Sequence, residues 1–249
     1  MTLLRALLSC IIAGLAAAQP LLNVCYEPWL PYAYTRQTDQ HQGAAVDAMR
    51  LAFARMGYDL AWQALPYARC LSLANKDQID LLLFSSPDLT LEFADSQVAL
   101  AYWSLAAFVA DTSPIKQYES LAQFKGQRIG VVNRYTYGKL RVESSAQADQ
   151  APDPESNLRK LAAGHVDVVF EDIRWGRQFA AMEHLGIRPL LPLAEQSPSF
   201  VGFSPRHSAL IKPFDRQLRR MLHSGELDRI YQSHTGSSYR ALDRPPSWR

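Results

Sequence analysis

The chain has 249 residues, 48% of them hydrophobic and 20% charged, and 26 Lys and Arg against 24 Asp and Glu leave a formal net charge of +2. This composition excludes disordered, collagen-like and low-complexity chains. A near-neutral balance without a basic run also argues against nucleic-acid binding, which needs a basic face. The length suits one large domain or two lobes of roughly 100 residues, each with its own core.

Residues 1–5 carry one positive charge, an apolar run follows to Ala18, and Ala16-Ala17-Ala18 precedes Gln19-Pro20. A charged start, an apolar run and an A-x-A site predict a secretory signal peptide over 1–18; the run is too short for a transmembrane anchor. Cys10 falls within that leader. Cys25 and Cys70 remain, and an even count in an oxidising compartment favours a disulfide over two buried thiols.

In chain order, residues 21–26 read as a strand, followed by a Pro-containing loop. A helix over 44–56 carries Val46, Met49, Phe53 and Met56 on one face and stops at Gly57. Tyr58, Leu60 and Trp62 alternate as a strand, Pro66 starts a helix carrying Arg69 and Cys70, and 79–84 is a continuous apolar run suited to a strand covered on both faces. This is a β-α-β-α-β lobe. The apolar segment 100–110 is long enough to enter a second α/β lobe: a strand over 128–132, a helix from about Thr136, a helix over 156–163, a strand over 166–170, a helix over 173–185 and a strand over 187–191. A return strand over 199–203 and helices over 209–223 and 226–233 close the pattern, with Pro213 delaying the first of these helices to about Lys212; the tail from Tyr239 reads as loose.

These pieces resemble the extracytoplasmic solute-binding proteins of family 3, the amino-acid-binding type. The resemblance is carried by Gly43-x-x-Val46-Asp47, Ile79-Asp80, Phe124-Lys125-Gly126-Gln127-Arg128-Ile129-Gly130-Val131, the segment from Gly164 to Asp172, and Ser224-Gly225-Glu226-Leu227-Asp228-Arg229-Ile230-Tyr231. Cys25-Tyr26-Glu27 with Leu65-Pro66-Tyr67-Ala68-Arg69-Cys70-Leu71 resembles a divergent branch of that family not tied to a known transporter. The resemblance implies two doubly wound α/β lobes joined by a two-strand hinge, the type II periplasmic-binding-protein form. Crossings near 107–111 and 196–201 would give lobe 1 over 19–108 and 200–249 and lobe 2 over 109–199. It implies a monomer in the periplasm that closes on a small polar or zwitterionic, amino-acid-like ligand, with an inner-membrane permease or a sensor as possible partner. One departure stands out: Thr90-Leu91-Glu92 is followed by Phe93, where the resemblance implies an arginine for a ligand carboxylate.

Ligands of doubly wound sheets lie beyond the carboxyl ends of the strands. The residues there are Glu27, Trp29 and Tyr32; Ser85 and Ser86; Asn133, Arg134, Tyr135, Thr136 and Tyr137; and Glu171 and Asp172. The resemblance makes Asp172 an amine-binding carboxylate; the alternative is a helix N-cap. Arg134 and the amides of a following helix would hold an anion, unless the segment is a solvated loop. Arg69, in a first helical turn where a cation is mildly unfavourable, would meet a ligand carboxylate or pair with Glu27. Trp29, Tyr32 and Trp103 would wall the cleft by stacking, with core packing the alternative for Trp103. Ser85 and Ser86 are hydrogen-bonding candidates, or a turn before Pro87. Replacing Asp172 or Arg69 is then expected to weaken the ligand while the fold persists.

No G-x-S-x-G, H-E-x-x-H, C-x-x-C or phosphate-loop motif occurs, and the six histidines lack ligand spacing. The expectation is a binding protein without cofactor, metal or catalytic residues. The runners-up are an enzyme resembling the periplasmic cyclohexadienyl dehydratases, with Glu27 or Asp172 as general acid, and a subunit presenting ligand to a receptor.

Overall fold

The computed structural model describes residues 19–36, 40–89 and 91–242; the leader expected over 1–18, Thr90 and the last seven residues lie outside the described residues. The first unit runs β1 (Leu21–Tyr26), a short hairpin of β2 (Tyr34–Arg36) and β3 (Gln40–Gln42), α1 (Ala44–Ala54), β4 (Asp59–Ala64), α2 (Tyr67–Ala74) and β5 (Leu81–Ser85). Then come β6 (Ala94–Asp95), β7 (Ala101–Ala110), β8 (Ile129–Val132), β9 (Ala148–Ala151), α3 (Pro154–Ala162), β10 (Val168–Asp172), α4 (Ile173–Met182), β11 (Ile187–Pro189), β12 (Glu195–Phe203), α5 (Ile211–His223) and α6 (Glu226–Thr235).

The strands form one mixed sheet in the order β4-β1-β5-β12-β7-β10-β8-β9, with β6 on β12 and β11 on β7. β1 is flanked in parallel by β4 and β5, and β8 in parallel by β10 and β9. Strand alternation sorts the cores: Val24, Tyr26, Leu81 and Leu83 pack with α1, α5 and α6, while Cys25 and Leu82 face the opposite side, against α2. In β10, Val168 and Phe170 face one core and Val169 the other, under α3 and α4.

Strands β7 and β12 connect the two ends of the sheet. The first part of β12, from Glu195 to Ser199, pairs with β7; from Phe200 it pairs with β5, after a register shift between Phe200 and Val201. Leu100, just before β7, and Ala101 belong to the first core, whereas Leu105, Ala107 and Val109 of β7 belong to the second.

Local chemistry fixes the elements that carry the cleft. Gly43 precedes α1 with φ 127°, and a Cβ there would collide with the Tyr32 carbonyl. Glycine thus lets the loop after β1 lie directly against the helix start. Asp153 caps α3, its Oδ1 accepting from Ser156 N at 2.7 Å. The Cys25–Cys70 disulfide forms, tying β1 to α2 across a Cα–Cα distance of 5.6 Å.

Two expectations are corrected. No helix begins near Thr136. Arg134 and Arg141 take positive φ (68° and 49°), and the buried Tyr137 folds back so that Val132 N donates to its hydroxyl at 2.8 Å. Two three-residue turns and β9 fill the segment instead. The tail beyond Tyr239 is not loose as far as it is described: Tyr239 donates to Ala99 O at 2.7 Å, and Leu242 sits in the first core. Among the described residues no helix is long and apolar enough to cross a membrane.

The disulfide closes a separation of 45 residues. Its removal in Cys25→Ala/Cys70→Ala is expected to lower the urea-unfolding free energy by about 3–4 kcal/mol. A loss below about 1 kcal/mol would show that the bridge contributes little constraint.

Candidate functional site

The strand ends open onto a cleft with a cavity volume of about 100 Å³, lined from both ends of the sheet. Glu27, Trp29, Tyr67, Phe84 and Ser86 line it from the first part of the chain. Trp103, Tyr135, Thr136, Glu171 and Trp175 line it from the middle of the chain, with Ser197, Pro198 and Ser199 of β12.

Glu27 spans the cleft. Its Oε1 accepts from Tyr67 N, the first residue of α2, at 3.0 Å, and its Oε2 accepts from the Tyr135 hydroxyl. Tyr67 in turn donates to Phe84 O at 3.1 Å. Rings continue the path: Tyr67 meets Tyr135 edge-on at 5.7 Å, Tyr135 meets Trp103 at 5.7 Å, and Trp29 meets Phe84 at 4.9 Å. Burial raises the Glu27 pKa to about 7, against the pull of the Tyr135 and Tyr67 hydrogen bonds, with Glu155 and Asp153 adding to the rise.

Glu171, near the end of β10, is 3% exposed. Its Oε1 accepts from Asp172 N at 2.8 Å, whereas its Oε2 is buried and has no partner. Burial raises its pKa to about 8; the Asp172 N–H opposes this, and the charges of Asp172, Glu27 and Glu155 add to it. Trp29 Nε1 is likewise buried without a partner. Unpaired buried polar atoms cost free energy, and two of them lining one cleft mark places for a guest's polar groups.

Six expected residues come together here: Glu27, Trp29, Ser86, Trp103, Tyr135 and Thr136. Five do not. Tyr32 is buried in the first core behind Trp29, 4.9 Å from its ring. Ser85 is buried in β5, beside Gly202 of β12. Arg69 is exposed on α2, and no ion pair joins it to Glu27, whose oxygens Tyr67 and Tyr135 take. Arg134 is exposed, turned out by its positive φ.

Asp172, 1% exposed, is the N-cap of α4. Its Oδ1 accepts from Arg174 N and Trp175 N at 3.0 Å, and its Oδ2 from Ser104 N at 3.1 Å. Nor is there an anion cradle after Tyr137. The Lys139 amide donates to Glu195 Oε2 at 3.0 Å, and a Cβ at Gly138 would strike the same carboxylate.

Sequence reasoning missed Tyr67, Phe84, Trp175 and the β12 contribution, and assigned no role to Glu171. The signal for Glu171 was present: once Asp172 caps α4, strand alternation turns its neighbour to the other side. Phe93 packs beside the disulfide cluster with Leu89 and Leu91.

Residues 22–237 match the model of the bacterial extracellular solute-binding proteins, family 3. The fold is similar to an ancestral arginine-binding protein bound to glutamine (16% identity, 88% of this chain and 99% of that one, TM-score 0.74). It is similar to a histidine kinase sensor domain with similarity to periplasmic binding proteins (17%, 89% and 98%, TM-score 0.78). It is also similar to the arginine-, lysine-, histidine-binding protein ArtJ of Geobacillus stearothermophilus (16%, 88% and 97%, TM-score 0.74). No curated protein matches the sequence.

Asp172→Ala is expected to lose roughly 2–4 kcal/mol of stability in urea, because three buried N–H groups lose their acceptor, and Asp172→Asn about half that or less. Equal stability of the alanine variant and the parent would refute the capping role. A second expectation concerns pH. Glu27 and Glu171, raised from 4.5 to about 7 and about 8, bind more protons folded than unfolded between those values. Stability without added ligand therefore falls as pH rises from about 5 to about 8.5, and Glu171→Gln flattens that fall. Parallel melting curves across pH for parent and variant would contradict it.

Proposed function

The chain belongs to the bacterial extracellular solute-binding proteins, family 3, and from that premise we propose that it captures a small solute in the cleft by closure of two lobes in the periplasm. The observation that carries this reading is the placement of two unpartnered buried polar atoms on opposite sides of one aromatic cleft, Trp29 Nε1 after β1 and Glu171 Oε2 on β10. A guest that touches both walls favours the closed arrangement by its differential affinity for it.

The lobes in this reading are 19–108 with 200–242, and 109–199, with one refinement. The change of core between Ala101 and Leu105 supports a crossing in β7 near Tyr102–Ser104 rather than 107–111, opposite the partner switch of β12 at Phe200. A permease or a receptor would read the closed form; the likeness to a histidine kinase sensor domain keeps the receptor in view. The dehydratase reading is not favoured, since among the described residues no lysine or arginine lines the cleft to meet a carboxylate substrate.

A thermal-shift screen of amino acids, amines, peptides and organic acids is expected to yield a compound that raises Tm by several degrees and shrinks the radius of gyration in X-ray scattering. Trp103→Ala, still folded by circular dichroism, should lose that response. Lack of any stabiliser would sink the binding reading, and turnover of the hit would replace it with an enzyme.

A further inference from the structure

The charges at the cleft share one sign. Glu27, Glu171 and Asp88 line it, and among the described residues no lysine or arginine does. Asp153 and Glu155, at the start of α3, act on Glu27; Glu155 and Asp172 act on Glu171. None of the cations nearby is part of the described lining. Arg174 acts on Tyr32 and Asp172, while Arg69 and Arg134 are exposed and outside the lining. The turn amide at Lys139, a possible anion donor, already holds Glu195. A guest carboxylate would therefore enter a field of carboxylates with no charged donor to meet it.

The same walls suit the opposite charge. Trp29, Tyr67, Phe84, Trp103, Tyr135 and Trp175 present aromatic surface, whose ring faces attract a cation in a desolvated site. Glu171 keeps one buried carboxylate oxygen unbonded. We infer that the cleft selects an organic cation lacking a carboxylate, a protonated amine whose ammonium donates to Glu171 Oε2 while its carbon frame lies against the tryptophans. The assignment rests on the cleft being the solute site.

Proton uptake and ligand binding are then linked. Glu27 and Glu171 are partly protonated near neutrality because they are buried. Tyr67 and Tyr135 hydrogen-bond Glu27, and burial keeps both phenols un-ionised. An ammonium stabilises the ionised carboxylates, so binding expels protons to solvent at pH 6–7 and tightens as pH rises.

The test is isothermal titration calorimetry of the exported protein with three matched pairs: agmatine and L-arginine, cadaverine and L-lysine, tyramine and L-tyrosine. At least one amine is expected to bind about tenfold or more tightly than its parent amino acid, a gap of about 1.4 kcal/mol. Its affinity should grow between pH 6 and pH 8.5. Buffers of different ionisation enthalpy should report proton release at pH 6.5 that vanishes near pH 9. Glu171→Gln, with unchanged circular dichroism, should weaken the amine by about tenfold or more and remove most of the pH dependence. Amino acids binding as tightly as their amines in every pair, or failure of all three amines, overturns the cation assignment. If an amino acid or organic acid still binds, and Trp103→Ala abolishes it, the solute-binding reading survives that loss; if nothing in the thermal-shift panel binds, both fall.

Discussion

Two carboxylates, Glu171 buried and Glu27 half-buried, stand at facing strand ends, and among the described residues no cation pairs with either. Removing a carboxylate from water is costly unless it is paired, and this fold meets the cost with neutral donors only. Glu27 receives a backbone N–H from Tyr67 and a phenol from Tyr135; Glu171 receives a single N–H from Asp172. Those donors come from rigid places. Cys25 lies two residues before Glu27, and Cys70 lies in the same helix as Tyr67, so the disulfide holds acceptor and donor together. Tyr135 reaches across from the segment after β8. The shape of the cleft follows from keeping Glu27 satisfied on both sides.

The division of labour between neighbours at the end of β10 shows how a strand end separates structure from function. Asp172 accepts three backbone N–H groups and starts α4. Glu171, facing the other way, keeps an oxygen unbonded and lines the cleft. Exchanging the two residue types would lengthen the cap and shorten the reach into the cleft, losing both functions. A sequence shows Glu171-Asp172 as a pair of acids; only the geometry assigns one to the helix and the other to the guest.

Much of the fold was legible because period and run length decided it. The continuous apolar runs gave β5 and β7, and the helical face of Val46, Met49 and Phe53 gave α1, since burial on both faces or on one stripe leaves that pattern. The stretch after β8 was misread because Arg134 and Arg141 adopt left-handed backbone without glycine, and Tyr137 competes with the helix for Val132 N. Residue pattern alone started the return strand only at Ser199, and the resemblance put a crossing near 196–201, because the stretch from Glu195 carries no apolar run. The ladder with β7, not hydrophobicity, makes it a strand. In the site, tertiary hydrogen bonds decided matters that spacing could not: Arg69 follows Tyr67 by two residues, yet the Tyr67 amide meets Glu27 and the arginine side chain is exposed.

The crossing strands also floor the cleft, and under the proposed closure this would couple recognition to motion. Trp103 of β7 and Ser197, Pro198 and Ser199 of β12 both line the site and pair with each other where the strands leave one core for the other. The register shift between Phe200 and Val201 lies one residue beyond that lining, where β12 changes partner, and the Ser96 hydroxyl there accepts from Val201 N at 3.1 Å. Under the proposed closure, a guest seated against Trp103 would touch the crossing strands themselves, not only the two faces. Backbone angles that set the lobe orientation and side chains that sense the guest then belong to the same few residues. Under the proposed closure a change of ring size at Trp103 would alter the guest contact and the crossing strands together, whereas a change at Glu171, one strand removed from the crossing, would alter the guest contact alone.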